Sequence, residues 1–252
     1  LSAFSVFFMQ SSSFLAHQMR MQELNSNNNA RSLFQINHIP SDNQIRNLLD
    51  PISPEHMSPM FDLVFDGLKS MGYFEHYRSI NKNILIALDG VNYFSSQKIN
   101  CNQCNTRNHK STGKTTYLHN AITPVIVAPN NPHVISLPPE FITPQDGHDK
   151  QDCEHAAAKR WLTKHVDKYK ELKITLLGDD LYAHHPICDL INQLGLNYIF
   201  TCKPDSHKKL YQDLQSLDEN GHIQTLQIER IEGKRKPKSY TDTYRFVNYV
   251  PM

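Results

Sequence analysis

Ile84 to Leu88 is a run of five apolar residues that ends in Asp89 and Gly90. A short apolar run bounded by polar and turn residues predicts a strand buried on both faces. The glycine lets the chain turn where it leaves the core. Lys173 to Asp180, K-I-T-L-L-G-D-D, repeats the design. Upstream, residues 1–82 pattern as helix. Phe4, Phe7 and Phe8 have partial helical spacing, and Phe61, Val64, Phe65 and Leu68 fall at i, i+3, i+4, i+7 within a helix expected over Pro59 to Met71. Ile39 to Pro51 carries a helix start at Pro40 with Ser41 or Asp42, and Pro51 stops it. The Asn-rich stretch from Gln22 to Arg31 reads as an exposed loop.

After Asp89, strands are expected over Thr115 to Ile122, Pro124 to Ala128 and His133 to Leu137. A helix follows from about Gln151 to Tyr169, with Ala157, Ala158, Trp161, Leu162, His165, Val166 and Tyr169 on one stripe. Asp149, Asp152 and Glu154 near its start suit the helix dipole. Then come the Asp179 strand, a helix through Ile187, Leu190, Ile191 and Leu194 that stops at Gly195, and a strand from Leu196 to Cys202. A strand meander followed by helix, strand, helix, strand is an α/β order that matches the ribonuclease-H-like mixed sheet with flanking helices. In that pattern the first and fourth strands are neighbours, which would bring Asp89 and Asp179 together across 179 − 89 = 90 residues. Three regions are expected: a helical N-terminal region over 1–82, with DNA binding as one use for it; a catalytic core over 83–203; and, over 204–252, the start of a β-rich insertion. In the last, strands at Thr225 to Ile231 and Tyr240 to Tyr249 flank a basic loop from Gly233 to Lys238.

Composition adds bounds. The 252 residues carry a net charge of +1, so no global basic field advertises nucleic acid. Residues 1–82 hold six Lys/Arg against seven Asp/Glu, so that region is not a basic arm. No stretch approaches the roughly 20 apolar residues of a membrane span. Five cysteines, an odd number with two only three apart, argue against a secreted disulfide framework and for a reducing cytoplasm. The chain begins without methionine and ends on V-P-M after a strand-like segment, so both ends read as cut from a longer protein.

Two strand-end aspartates suit phosphoryl transfer, which uses paired hard cations held by oxygen ligands. Asp89 and Asp179 are the candidate Mg²⁺ or Mn²⁺ ligands. Strand alternation sends Asp179 and Asp180 to opposite sides, so only one of them can face Asp89. The competing reading is that strand-end aspartates are ordinary turn residues. A haloacid-dehalogenase-like phosphohydrolase would want a second Asp where Val91 stands. Separately, Cys101-x₂-Cys104 with His109, and Cys153 as a fourth ligand, gives partial zinc spacing for a structural Zn²⁺; the alternative is a polar loop with two reduced thiols.

Several motifs together resemble the DDE-type transposases of bacterial insertion sequences. They are I-A-L-D-G at Ile86 to Gly90 with Tyr93-Phe94-Ser95-Ser96, the Pro139 to Glu154 block P-E-F-I-T-P-Q-D-G-H-D-K-Q-D-C-E, A-A-K-R-W-L at Ala157 to Leu162, and L-L-G-D-D-L-Y-A at Leu176 to Ala183. Ile39 to Asp50 is similar to the family's N-terminal region. The resemblance implies a ribonuclease-H-like catalytic domain using Mg²⁺ or Mn²⁺ in a bacterial, nucleoid-associated cytoplasmic setting. Double-stranded DNA, as element ends and target, would be the partner, bound by a homodimer. It implies cut-and-paste chemistry, in which water cleaves the element's end and the 3′ hydroxyl so formed attacks target DNA. Asp89 matches the first catalytic aspartate. Asp179 with Tyr182 matches the second motif, although Leu181 stands where the family has a small residue. The family's third member, a glutamate in Tyr-x₂-Arg-x₃-Glu-x₆-Lys after a β-rich insertion, has no counterpart here. The expectation is therefore an incomplete, inactive site; the alternative is a catalytically inactive DNA-binding remnant of a mobile element.

Overall fold

The computed structural model describes residues 1–144, 153–233, 237–248 and 250, with backbone only for 24–28. The expected helix start at Gln151, Asp149 and Asp152, His148, and the middle of the basic loop lie outside the described residues. The chain divides into two compact units, Leu1–Val64 and Phe65–Met252.

The first unit is helical: α1 (Ser2–Phe8), α2 (Phe14–Gln22), α3 (Leu24–Phe34), α4 (Asp42–Leu49) and the start of α5 (Ser58–Ser70). Ser13 and Ser41 cap α2 and α4 by accepting from Ala16 N and Gln44 N. The segment expected as an Asn-rich loop is mostly helix α3. Asparagine is a weak helix former, but Ala30 and Phe34, four apart on one face, are buried with Met21 and Ile36, and that burial outweighs propensity. Buried His17 is a satisfied core histidine, with Nε2 3.0 Å from Ser5 Oγ and Nδ1 2.8 Å from Ser11 Oγ.

The second unit is mixed α/β. Its strands are β1 (Ile84–Ala87), β2 (Gly90–Ser96), β3 (Asn105–Asn108), β4 (Thr115–Ile122), β5 (Val125–Val127), β6 (Ile135–Ser136) and β7 (Glu140–Ile142). There follow α6 (Glu154–Tyr169), β8 (Ile174–Gly178), α7 (His185–Gln193), β9 (Asn197–Phe200), α8 (Lys208–Glu219), β10 (Gln224–Glu232) and β11 (Lys238–Phe246). The central sheet has the order β6-β5-β1-β8-β9. β5 and β6 run as an antiparallel meander on one side of β1, and β8 and β9 run parallel to it on the other.

A second sheet places β4 between β2 and β3, with β7 also pairing β4. β4, expected in the main meander, belongs here. Pro124 follows it and has no N–H to continue a ladder, and the chain crosses into the central sheet at β5. β10 and β11 form a two-stranded hairpin. α6 buries Ala157, Ala158, Trp161, Leu162, Val166 and Tyr169, the expected stripe apart from half-buried His165. Trp161 Nε1 donates to Pro138 O at 2.8 Å, and Arg160 binds Glu140 at 2.7 Å, which ties the helix to the β7 segment. No helix among the described residues is long and apolar enough to cross a membrane.

Candidate functional site

The site is organised by the parallel pairing of β1 with β8. Ile84 faces Ile174 and Ala87 faces Leu177, a constant offset of 174 − 84 = 90. Leu88 N donates to Leu177 O at 2.9 Å, extending the ladder one step past the strand. Asp89 and Asp179 stand at the same offset, just past the paired residues, and the charges of both act on Glu154. Buried Asn83 fixes that register by donating from its side chain to Thr175 Oγ1 at 2.9 Å.

Both aspartates are exposed at the ends of buried strands. Asp89 is anchored through its backbone, its carbonyl accepting from Thr123 N at 3.0 Å. Asp179 begins a tight turn: its carboxylate accepts from Leu181 N at 3.0 Å and its carbonyl from Tyr182 N at 3.1 Å. Asp180 points elsewhere. It is buried, accepts from Lys203 N, and lies 3.2 Å from His207 Nε2. Hydrogen bonding from Ser206 and then Lys203 N, with a smaller contribution from His207, holds its carboxyl below the ordinary aspartate value. Alternation at the strand end thus gives the solvent-facing position beside Asp89 to Asp179 and commits Asp180 to packing.

A third carboxylate joins them. Glu154, the first residue of α6, is half-buried with its carboxyl against the Gly90 backbone. A Cβ on Gly90 would stand 2.3 Å from Glu154 Cδ, so any larger residue there displaces the carboxylate from this position. Burial, reinforced by the charges of Asp179 and Asp89, raises the Glu154 pKa above the ordinary glutamate value, and His155 opposes the shift. Tyr182 closes the cluster from beneath. Its side chain is 1% exposed and its hydroxyl makes no hydrogen bond. Burial and the charges of Glu154, Asp89 and Asp179 push its phenol far up, so it stays protonated. Gly178 makes room for this ring, since a Cβ there would meet Tyr182 Cδ2 at 2.9 Å.

Among the described residues no lysine or arginine pairs with Asp89, Glu154 or Asp179. The three carboxylates do not bring one oxygen each within 4.8 Å of one another. Beside Glu154 opens a cleft of about 560 Å³, lined also by His155, Leu181, Arg107, Thr106 and Asn120. By sequence alone Glu154 suits only the helix dipole. The signal that could have singled it out is a Glu opening a helix whose buried stripe must pack on the sheet that carries both aspartates.

The sulfur ligands fall differently from their spacing. Cys101 and Cys104 are together, but the histidine beside them is His119 on β4. His109 instead sits 2.9 Å from Thr116 Oγ1, and Cys153 is the exposed N-cap of α6, lining the cleft beside Glu154. No protein-family model matches this chain, and no curated protein matches it.

Proposed function

We propose that this chain carries a DNA phosphoryl-transfer site of the DDE-transposase kind, cleaving and joining strands at insertion-sequence ends. The observation that supports it most is the parallel β1–β8 pairing at a constant offset of 90, the offset that also separates Asp89 from Asp179 just past the strand ends. The sheet order, with an antiparallel meander on one side of β1 and parallel strands on the other, is the one a ribonuclease-H-like core requires.

Mg²⁺ or Mn²⁺ is the metal this reading calls for: the donors are hard carboxylate oxygens that no lysine or arginine neutralises among the described residues, although they do not form one compact group. When bound, such ions polarise the phosphate and stabilise the attacking and leaving oxygens. Asp89 and Asp179 would hold them from the ends of β1 and β8. Glu154 supplies a third carboxylate from this chain's own helix, a position distinct from the downstream glutamate of the family pattern. Tyr182 keeps its proton and offers an O–H donor under the cluster. Arg107 lines the same cleft as Glu154 and is the cation there that could receive a phosphate.

Mn²⁺ binding followed by electron paramagnetic resonance, together with Mn²⁺-dependent nicking of supercoiled plasmid, tests the reading. Asp89→Asn and Asp179→Asn are each expected to weaken Mn²⁺ binding at least about tenfold. Any nicking should disappear with them. Mn²⁺ affinity or nicking that survives both substitutions overturns the assignment. DNA binding without any Asp89-dependent Mn²⁺ affinity would favour the non-catalytic remnant.

A further inference from the structure

The second sheet holds a group of soft ligands that the carboxylate site does not use. Cys101 and Cys104 lie in the β2–β3 connection, where Cys104 N donates to Cys101 O at 3.1 Å and closes a tight turn. That turn folds both thiols onto one side. His119 arrives from β4, opposite Phe94 in the β2–β4 register. The pairing slips at Tyr93, which has no partner on β4. The bulge leaves its ring beside His119, with centroids 5.6 Å apart.

The distances are those of a tetrahedral metal site. Cys101 Sγ and Cys104 Sγ are 3.8 Å apart, and each lies 3.3 Å from His119 Nε2. A disulfide would need about 2.05 Å between the sulfurs. A tetrahedral zinc, with Zn–S about 2.3 Å and Zn–N about 2.05 Å, separates two thiolates by about 3.8 Å and a thiolate from an imidazole nitrogen by about 3.5 Å. Cys101 N also donates to Cys104 Sγ at 3.3 Å, which holds that sulfur toward the turn. Among the described residues this is the one group of three or more His, Cys, Asp or Glu whose donor atoms all lie within 4.8 Å of one another.

We infer that Cys101, Cys104 and His119 bind a Zn²⁺ and supply three of its four ligands. The ion ties the β2–β3 connection to β4. β4 pairs with β2 along its length, from Ser96 opposite Tyr117 back to Gly90 opposite Ile122. The clamp therefore fixes the far end of the strand that leaves Asp89, and it braces the sheet without touching the carboxylates.

The test uses the whole chain purified without chelator. Elemental analysis should find about one zinc per chain, falling to near zero in Cys101→Ser and His119→Asn. His109→Asn and Cys153→Ser should keep the metal. Cobalt exchanged into the site should show thiolate-to-metal charge transfer and tetrahedral ligand-field bands, and the former should weaken in Cys101→Ser. Chelation should lower the melting temperature of the wild type and leave Cys101→Ser unmoved. The inference fails if reconstituted protein holds no zinc, if zinc content survives His119→Asn, or if freshly purified protein carries a Cys101–Cys104 disulfide. None of these readouts depends on Mn²⁺ or DNA, so this inference and the phosphoryl-transfer reading stand or fall separately.

Discussion

Adding one methyl group, by Gly90→Ala, tests whether Glu154 works with the two aspartates. The new Cβ would stand 2.3 Å from Glu154 Cδ and 2.5 Å from each carboxylate oxygen. Ordinary contact begins near 3.4 Å, so the carboxylate must retreat by 3.4 − 2.3 = 1.1 Å. Gly90 is not in the left-handed region, so alanine brings no backbone strain. What moves is the far end of a flexible side chain. Leaving a rotamer minimum costs about 0.5–1.5 kcal/mol. Two effects offset that cost. Replacing glycine stiffens the unfolded chain, worth about 0.4–1 kcal/mol. The retreat also eases the repulsion from Asp179 and Asp89 that raises the Glu154 pKa.

Stability should therefore change by less than about 1 kcal/mol, a Tm shift of no more than about 2–4 °C for a chain of this size. Function should not be spared. On the proposed mechanism a misplacement of about 1 Å costs on the order of 10²-fold in rate. Thermal melts, Mn²⁺ titration and strand cleavage on the same preparations separate the two effects. Gly90→Ala combined with Glu154→Gln should be no worse than Glu154→Gln alone, because both changes disable one group. Unchanged Mn²⁺ affinity and turnover in Gly90→Ala would refute a working role for Glu154. A stability loss above about 3 kcal/mol would refute the premise that only a side chain has to yield.

Three further outcomes follow from the same geometry. Glu154 has a raised pKa, so its contribution to metal-free stability is present below the ordinary glutamate value of 4.5 and is lost as pH rises through its own higher value. Glu154→Gln should flatten that part of the Tm-against-pH curve and raise Tm at neutral pH; an unchanged curve counts against the clustering. Thr175→Val leaves the buried Asn83 amide without its acceptor and should cost about 1–3 kcal/mol in urea unfolding. Asp180→Asn should lower Tm yet leave Mn²⁺ affinity intact. Because its pKa is lowered, Asp180 stabilises the fold above the ordinary aspartate value of 3.8, and that stabilisation fades as pH falls through its own lower value. A large loss of Mn²⁺ binding in Asp180→Asn would reverse the choice between the two aspartates.

The strands that carry the aspartates were legible because each is a continuous apolar run buried on both faces, and such runs need no partner to be recognised. β2 and β3 were not, because their sheet is largely exposed: Val91, Asn92 and Tyr93 face solvent, and no hydrophobic alternation marks them. The histidine expected beside the two cysteines was misplaced for a related reason. His109 is nearer to the cysteines in sequence, but ligands are gathered by strand register, and the register of β2 on β4 brings in His119 from 18 residues away. α8 escaped notice because it buries no residue fully, so its apolar face is faint.

Glu154 is the most instructive of these, because two effects act on it in opposite directions. At the first position of α6 the helix dipole favours its negative charge, by about 0.3–1 kcal/mol at an exposed end. Sequence alone shows only that effect. Yet burial and the charges of the two aspartates raise its pKa, against the opposing pull of the adjacent His155. The chain therefore holds a carboxylate where its charge is penalised, and spends Gly90 to make the space. A glutamine would fit the same space without the charge. Clustered acids with no cationic partner among the described residues cost stability until something positive enters, and a divalent cation reverses the sign of each interaction in the cluster. That reversal separates a metal-binding role from an accident of packing. Saturating Mg²⁺ should raise the Tm of the wild type more than that of Glu154→Gln, and should raise that of Asp89→Asn least. Equal shifts in all three would mean the ion binds elsewhere and the carboxylates are only neighbours.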